Sequence, residues 1–84
     1  MAPSISLTVA NRRTIGLKEL YIAPNGSSKF ERIVENLGPG REIVVVVAGE
    51  GACAFDFRGV YDDGATANTF AFNLCKNQKL NLLE

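Results

Sequence analysis

Short runs in which apolar and polar residues alternate, each closed by glycine, proline, asparagine or aspartate, most limit what this chain folds into. A period of two puts successive side chains on opposite faces of an extended strand, so an apolar face must find cover. Ile5, Leu7 and Val9 share one such face, and Ser4, Ser6 and Thr8 the other. After Asn11-Arg12-Arg13, the segment Thr14 to Ala23 carries Ile15 and Leu17 on one parity and Leu20 and Ile22 on the other. That slip near Lys18-Glu19 predicts a bulge or a change of sheet. Pro24-Asn25-Gly26 supplies the fixed and positive φ values of a turn.

Further on, Ile43 to Val47 is an unbroken β-branched run within Glu42 to Ala48. It predicts a strand with both faces covered, or one at the centre of a sandwich, and the most protected segment of the chain. Gly49-Glu50-Gly51 reads as a turn. From Ala52 to Tyr61, Cys53, Phe55 and Phe57 face one way, and Phe70, Phe72 and Leu74 align between Thr66 and Cys75. Asp62-Asp63-Gly64 between them is a hairpin signal. A last short strand carries Leu80 and Leu82. The rings of Phe55, Phe57, Phe70 and Phe72 are expected at the centre of the core.

One segment changes period. Phe30, Ile33, Val34 and Leu37 recur at helical spacing, Ser28 with Glu31 matches a capping box, and Gly38 suits the position past a helix end. A short helix over 28–38 is expected, with an irregular strand connection as the alternative. The whole reads as mainly β: a small antiparallel β-sandwich or partly open barrel of about six strands with that one short helix, in a single domain spanning 1–84.

Composition removes several functions. Nine Lys and Arg balance nine Asp and Glu, so no net field draws nucleic acid or an anionic membrane surface. The longest apolar stretch, about ten residues around Val44 to Val47, is too short to span a membrane as a helix. Without histidine, neither a His-based triad nor a His-ligated metal is available, and no cofactor or metal is expected. Met1-Ala2-Pro3-Ser4 lacks a basic region followed by an apolar run, so this start spells no export signal.

Cys53 and Cys75 carry the most informative chemistry. A two-residue Asp63-Gly64 loop sets Phe55 opposite Phe72 and Phe57 opposite Phe70, but turns Cys75 away from Cys53. A three-residue loop or one bulge brings the cysteines opposite, and a bulge between them and the aromatic pairs satisfies both demands. Three states stay open: a disulfide, inert buried thiols, or a metal-binding or catalytic thiol. Two thiolates alone do not complete a tetrahedral zinc site, and no CxxC spacing exists for redox cycling.

Other candidates are ordinary. Asp62-Asp63-Gly64 with Asp56 lacks the ligand spacing of a calcium loop, and Gly49-Glu50-Gly51 is no phosphate cradle. Arg12 and Arg13 on a turn would meet an acidic partner or stay solvated. Tyr21 near Pro24 is an exposed aromatic contact or packs over a sheet edge. Glu31 and Glu35 face outward with like charge.

The order Leu20-Tyr21-Ile22-Ala23-Pro24, Leu37-Gly38-Pro39-Gly40, Cys53-Ala54-Phe55-Asp56, Asp63-Gly64 and Asn73-Leu74-Cys75 resembles an uncharacterised family of small, often exported bacterial β-proteins. The likeness runs from about Asn11 to Cys75 and departs at Ser27 to Leu37, where the family would carry a Trp-Gly-type turn and this chain has Phe30. The resemblance implies a compact domain with paired cysteines and an exported or periplasmic location, and it implies no substrate. The favoured function is a non-enzymatic interaction or accessory module that binds a protein partner or a second copy through an open sheet edge or loop. The alternatives are a small-ligand or metal-binding protein, which needs a pocket of about 300 Å³ or more, and an enzyme using Cys53 or Cys75 as nucleophile.

Overall fold

The computed structural model describes residues 4–48 and 53–82. Seven strands follow one another: β1 (Ser4–Asn11), β2 (Leu17–Pro24), β3 (Glu31–Leu37), β4 (Glu42–Ala48), β5 (Ala54–Tyr61), β6 (Thr66–Asn73) and β7 (Lys79–Leu82). They form two sheets, ordered β4-β1-β7 and β3-β2-β5-β6, stacked as a sandwich and not closed into a barrel. Pairing is antiparallel throughout except at β7, which runs parallel to β1.

The alternation read from the sequence directs the core. Leu7 and Val9 of β1, Val47 of β4 and Leu80 and Leu82 of β7 face Leu20, Ile22, Val34, Phe55, Phe57 and Tyr61 of the other sheet. Burial of such side chains, about 1.5–3 kcal/mol each, holds the layers together.

The helix expected over 28–38 is a strand. Leu17 and Leu20 of β2 are three residues apart and both buried, as are Val34 and Leu37 of β3. The pairs Leu17↔Leu37 and Leu20↔Val34 lie across from one another. Between them β2 shifts register against β5, and Asn36 of β3 takes a φ of 54°. Both strands thus slip one residue side by side, which fits the three-residue spacing to a pair of strands. A helical period in β3 is the imprint of that paired irregularity, and the slip expected near Lys18-Glu19 is its other half.

Two further expectations change, and the loop length left open is decided. The β-branched run is an edge strand, with Val44 64% and Val46 69% exposed, because sheet order leaves β1 as its one neighbour among the described strands. The hairpin loop holds three residues, Asp62-Asp63-Gly64, closed by the Tyr61 N–H donating to the Ala65 carbonyl at 2.8 Å, with Gly64 at a φ of 86°. Consequently β5 and β6 start in the register Gly59↔Ala67 and Arg58↔Asn68, which sets Phe57 opposite Thr69. A shift between Phe55 and Phe57 then restores Phe55↔Phe72, leaving Phe70 beside the irregularity and 69% exposed. Phe70 therefore has no place in the core. Phe57 and Phe72 meet edge to face, centroids 5.7 Å apart. The Gly49-Glu50-Gly51 turn lies outside the described residues.

Asn11 joins the two layers at one end. Its side chain is fully buried, and Nδ2 donates to the carbonyls of Ile15 and Leu37, both at 3.0 Å. Oδ1 accepts the Arg13 N–H at 3.1 Å. β1 is thereby tied to the end of β3 in the opposite sheet.

Candidate functional site

Four strands end the two sheets, and each open edge has its own chemistry. β7 is four residues long and begins with Lys79. β3 carries Glu31, Arg32 and Glu35, a register shift and the positive φ of Asn36. β6 is interrupted opposite Asp56, with Ala71 at a φ of 55°. Short length, charge and bulges are the devices that blunt an edge against further pairing.

β4 lacks these devices but for one charge. It pairs with β1 without a break from Ser4↔Ala48 to Ala10↔Glu42, and it contains no proline, lysine or bulge. Its single charge, Glu42, is held within the chain by Arg12 at 3.4 Å and Lys79 at 3.6 Å. Because Leu7 pairs with Val45 and Ile5 with Val47, those valines turn inward, while Val44 and Val46 stand on the outer face.

Beside this edge the sandwich gapes. A groove of about 460 Å³ runs between β3 and β4, with Ile22, Val47 and Phe55 as apolar floor and Lys29, Glu31 and Arg32 among its walls. The charged residues are exposed, the buried side chains of the lining are hydrocarbon, and the accessible surface of the groove is more polar than apolar. Small-ligand sites are lined mostly by apolar side chains with a few polar groups, whereas here the polar share of the accessible lining is the larger. An extended chain needs something else: backbone partners along an edge and apolar room for alternate side chains. β4 offers the first, and Ile22, Val47 and Phe55 in the groove supply a narrow strip of the second.

The residues singled out from the sequence do not assemble into one site. Cys53, just before β5, and Cys75, just after β6, are joined as a disulfide with Cα atoms 5.2 Å apart, so neither is a free thiol. The Leu74 N–H donates to the Cys53 carbonyl at 2.8 Å, and the bond fastens the end of the hairpin. Arg12 reaches Glu42. Arg13 turns the other way and lies over the Tyr61 ring, 4.2 Å from its centroid. Tyr21 is on an inner strand and not at an edge, between Arg32 of β3 and Arg58 of β5. Burial, and secondarily the Glu19 carboxylate, raises its hydroxyl pKa. Arg32 is itself held by Glu19 at 3.1 Å and Glu35 at 2.8 Å, and its pKa is raised, first by the bond to Glu19.

Nor do the aspartates gather. Asp63 accepts the Ala65 N–H inside the hairpin loop at 2.9 Å. Asp56 is buried, accepting from the Ala71 N–H at 3.0 Å, Asn25 Nδ2 at 2.8 Å and the Gly26 N–H at 3.4 Å. Those bonds, led by Ala71, lower its pKa against the opposing effect of burial. Asp56 thus clips the turn after β2 to the irregular part of β6.

Sequence reasoning missed the β4 site because it took a β-branched run as a sign of burial. The available signal was the absence of any polar residue from Ile43 to Val47 together with the polar faces of its neighbours, but nothing local says which strand ends a sheet.

No protein-family model and no curated protein matches this chain. Among solved structures, it is similar to the NMR structure of a protein from Eubacterium rectale, with 18% identity, a TM-score of 0.67, and coverage of 93% of this chain and 73% of that one. The likeness concerns the fold. Among the described residues, no helix is long and apolar enough to cross a membrane.

Proposed function

We propose that this protein is a non-enzymatic interaction module that takes up an extended segment of a protein partner by strand addition at β4. The observation that carries this reading is the unguarded β4 edge, with its exposed Val44 and Val46, beside the groove between β3 and β4. An added strand would bond to the β4 backbone and alternate its side chains between the groove and the outer face. The Cys53–Cys75 disulfide supports a working place outside the reducing cytoplasm, where a domain of 84 residues gains from a covalent staple. A second reading, capture of a small ligand, draws on the groove's volume of about 460 Å³.

The test is a backbone amide NMR titration with an extended valine-threonine peptide flanked by lysines, and with the same peptide N-methylated on alternate residues. The reading expects shifts along β4 and the groove that vanish on N-methylation. Shifts confined to the outer face of the four-stranded sheet, or equal response to both peptides, would overturn strand addition.

A further inference from the structure

The β4 edge is complementary to itself, and we infer that its occupant is β4 of a second copy of this chain, paired antiparallel across a two-fold axis; this inference rests on the strand-addition reading above. An axis perpendicular to the sheet keeps the inward faces of both copies on the same side. The register that pairs all seven residues of Glu42–Ala48 is then centred on Val45. Val44 stands opposite the second copy's Val46 on the outer face, and Ile43 opposite its Val47 on the inner face.

Three observations favour this occupant. No charge opposes a like charge in that register, since Glu42 meets Ala48. Glu42 is already neutralised by Arg12 and Lys79 of its own chain, and the chain carries no net charge to repel a copy. On the outer face the side chains that would meet are exposed, Val44 at 64% and Val46 at 69%, and on the inner face the 40% exposed Ile43 would meet the buried Val47. β-branched residues facing one another across antiparallel strands are a favourable pairing. The result is a continuous six-stranded sheet, β7-β1-β4 followed by its symmetry mate, with the other three edges still guarded, so that association stops at two.

One shared strand pair covers less than the roughly 800 Å² per partner of a standard interface, so the dimer is weak, with a Kd on the order of 0.1–1 mM. Sedimentation equilibrium of the disulfide-bonded protein up to about 2 mM tests it, with V44K and V46E as variants. Both positions point outward and leave the core untouched, and amide spectra of the variants verify the fold. The wild type should fit a saturating monomer–dimer equilibrium. Each variant alone should weaken it at least about tenfold. An equimolar mixture of the two should recover association, because V44K and V46E then face each other as an ion pair while the other outer pair stays Val-Val.

A wild type that is monomeric throughout, open-ended growth, variants that dimerise like the wild type, or a mixture no tighter than its components would each overturn the inference. If the extended peptide binds at β4 while the protein stays monomeric, only the second-copy assignment falls. If neither event occurs, strand addition falls with it.

Discussion

Removing the Asn11 side chain is the sharpest test of how the two layers are locked. The amide is wholly buried and makes three good hydrogen bonds: to the Leu37 carbonyl in a buried setting, and to the Ile15 carbonyl and from the Arg13 N–H in part-buried ones. In Asn11→Ala the Leu37 carbonyl has no water to turn to, which costs about 1–3 kcal/mol, while the two part-buried bonds lose about 0.5–1.5 kcal/mol each. The expected loss is therefore about 2–6 kcal/mol from a domain whose 84 residues support a total of about 4–13 kcal/mol. Urea unfolding followed by circular dichroism suits a chain without tryptophan. With m near 1 kcal/mol/M the midpoint should fall by about 2 M or more, and Tm by about 10 °C or more. Asn11→Asp is the decisive companion. It keeps the size and the acceptor but sets a carboxylate against two carbonyls, so at neutral pH it should be worse than alanine. If the aspartate variant unfolds at the wild-type midpoint, or alanine costs less than about 0.5 kcal/mol, the amide is not what holds the layers.

Other consequences are checked more simply. Replacing Cys53 and Cys75 by alanine opens a loop with a separation of 22 residues and should cost about 3 kcal/mol in the chain-entropy model, read from the same unfolding curves. Phe57→Ala should cost about 3–5 kcal/mol, whereas Phe70→Ala, at a side chain 69% exposed, should stay within about 0.5 kcal/mol; equal losses would refute the β6 register. Because the folded state lowers the Asp56 pKa, the carboxylate contributes stability above its unfolded value of about 4, and that contribution is lost as pH falls through the lower folded value. Asp56→Asn should accordingly flatten the acid limb of a stability-against-pH curve, and an unchanged limb would assign the acid sensitivity elsewhere.

Much of the fold is legible along the chain, for a local reason. Alternation at Ile5-Leu7-Val9 and at Phe55-Phe57, and the turn residues after Ala23 and Tyr61, act over a few residues and need no partner to be read. The slip at Lys18-Glu19 is legible in the same way, since two parities in one strand require a bulge. The candidate site was written only in part: the valines of β4 are visible, but their exposure is not.

Sequence alone determined that this chain is mainly β, that its strands alternate, and that no histidine chemistry is available to it, because residue identity and spacing act without long-range contact. Tertiary structure alone decided the rest. Asn36 takes a positive φ beside the matching slip of β2, and the segment that reads as a helix is β3. A one-residue difference in the Asp62-Asp63-Gly64 loop sent Phe70 outward, because each step along a strand reverses the face. Sheet order placed Val44 and Val46 at an open edge, since whether a strand has one neighbour or two is a property of the assembly of strands and never of one strand's own residues.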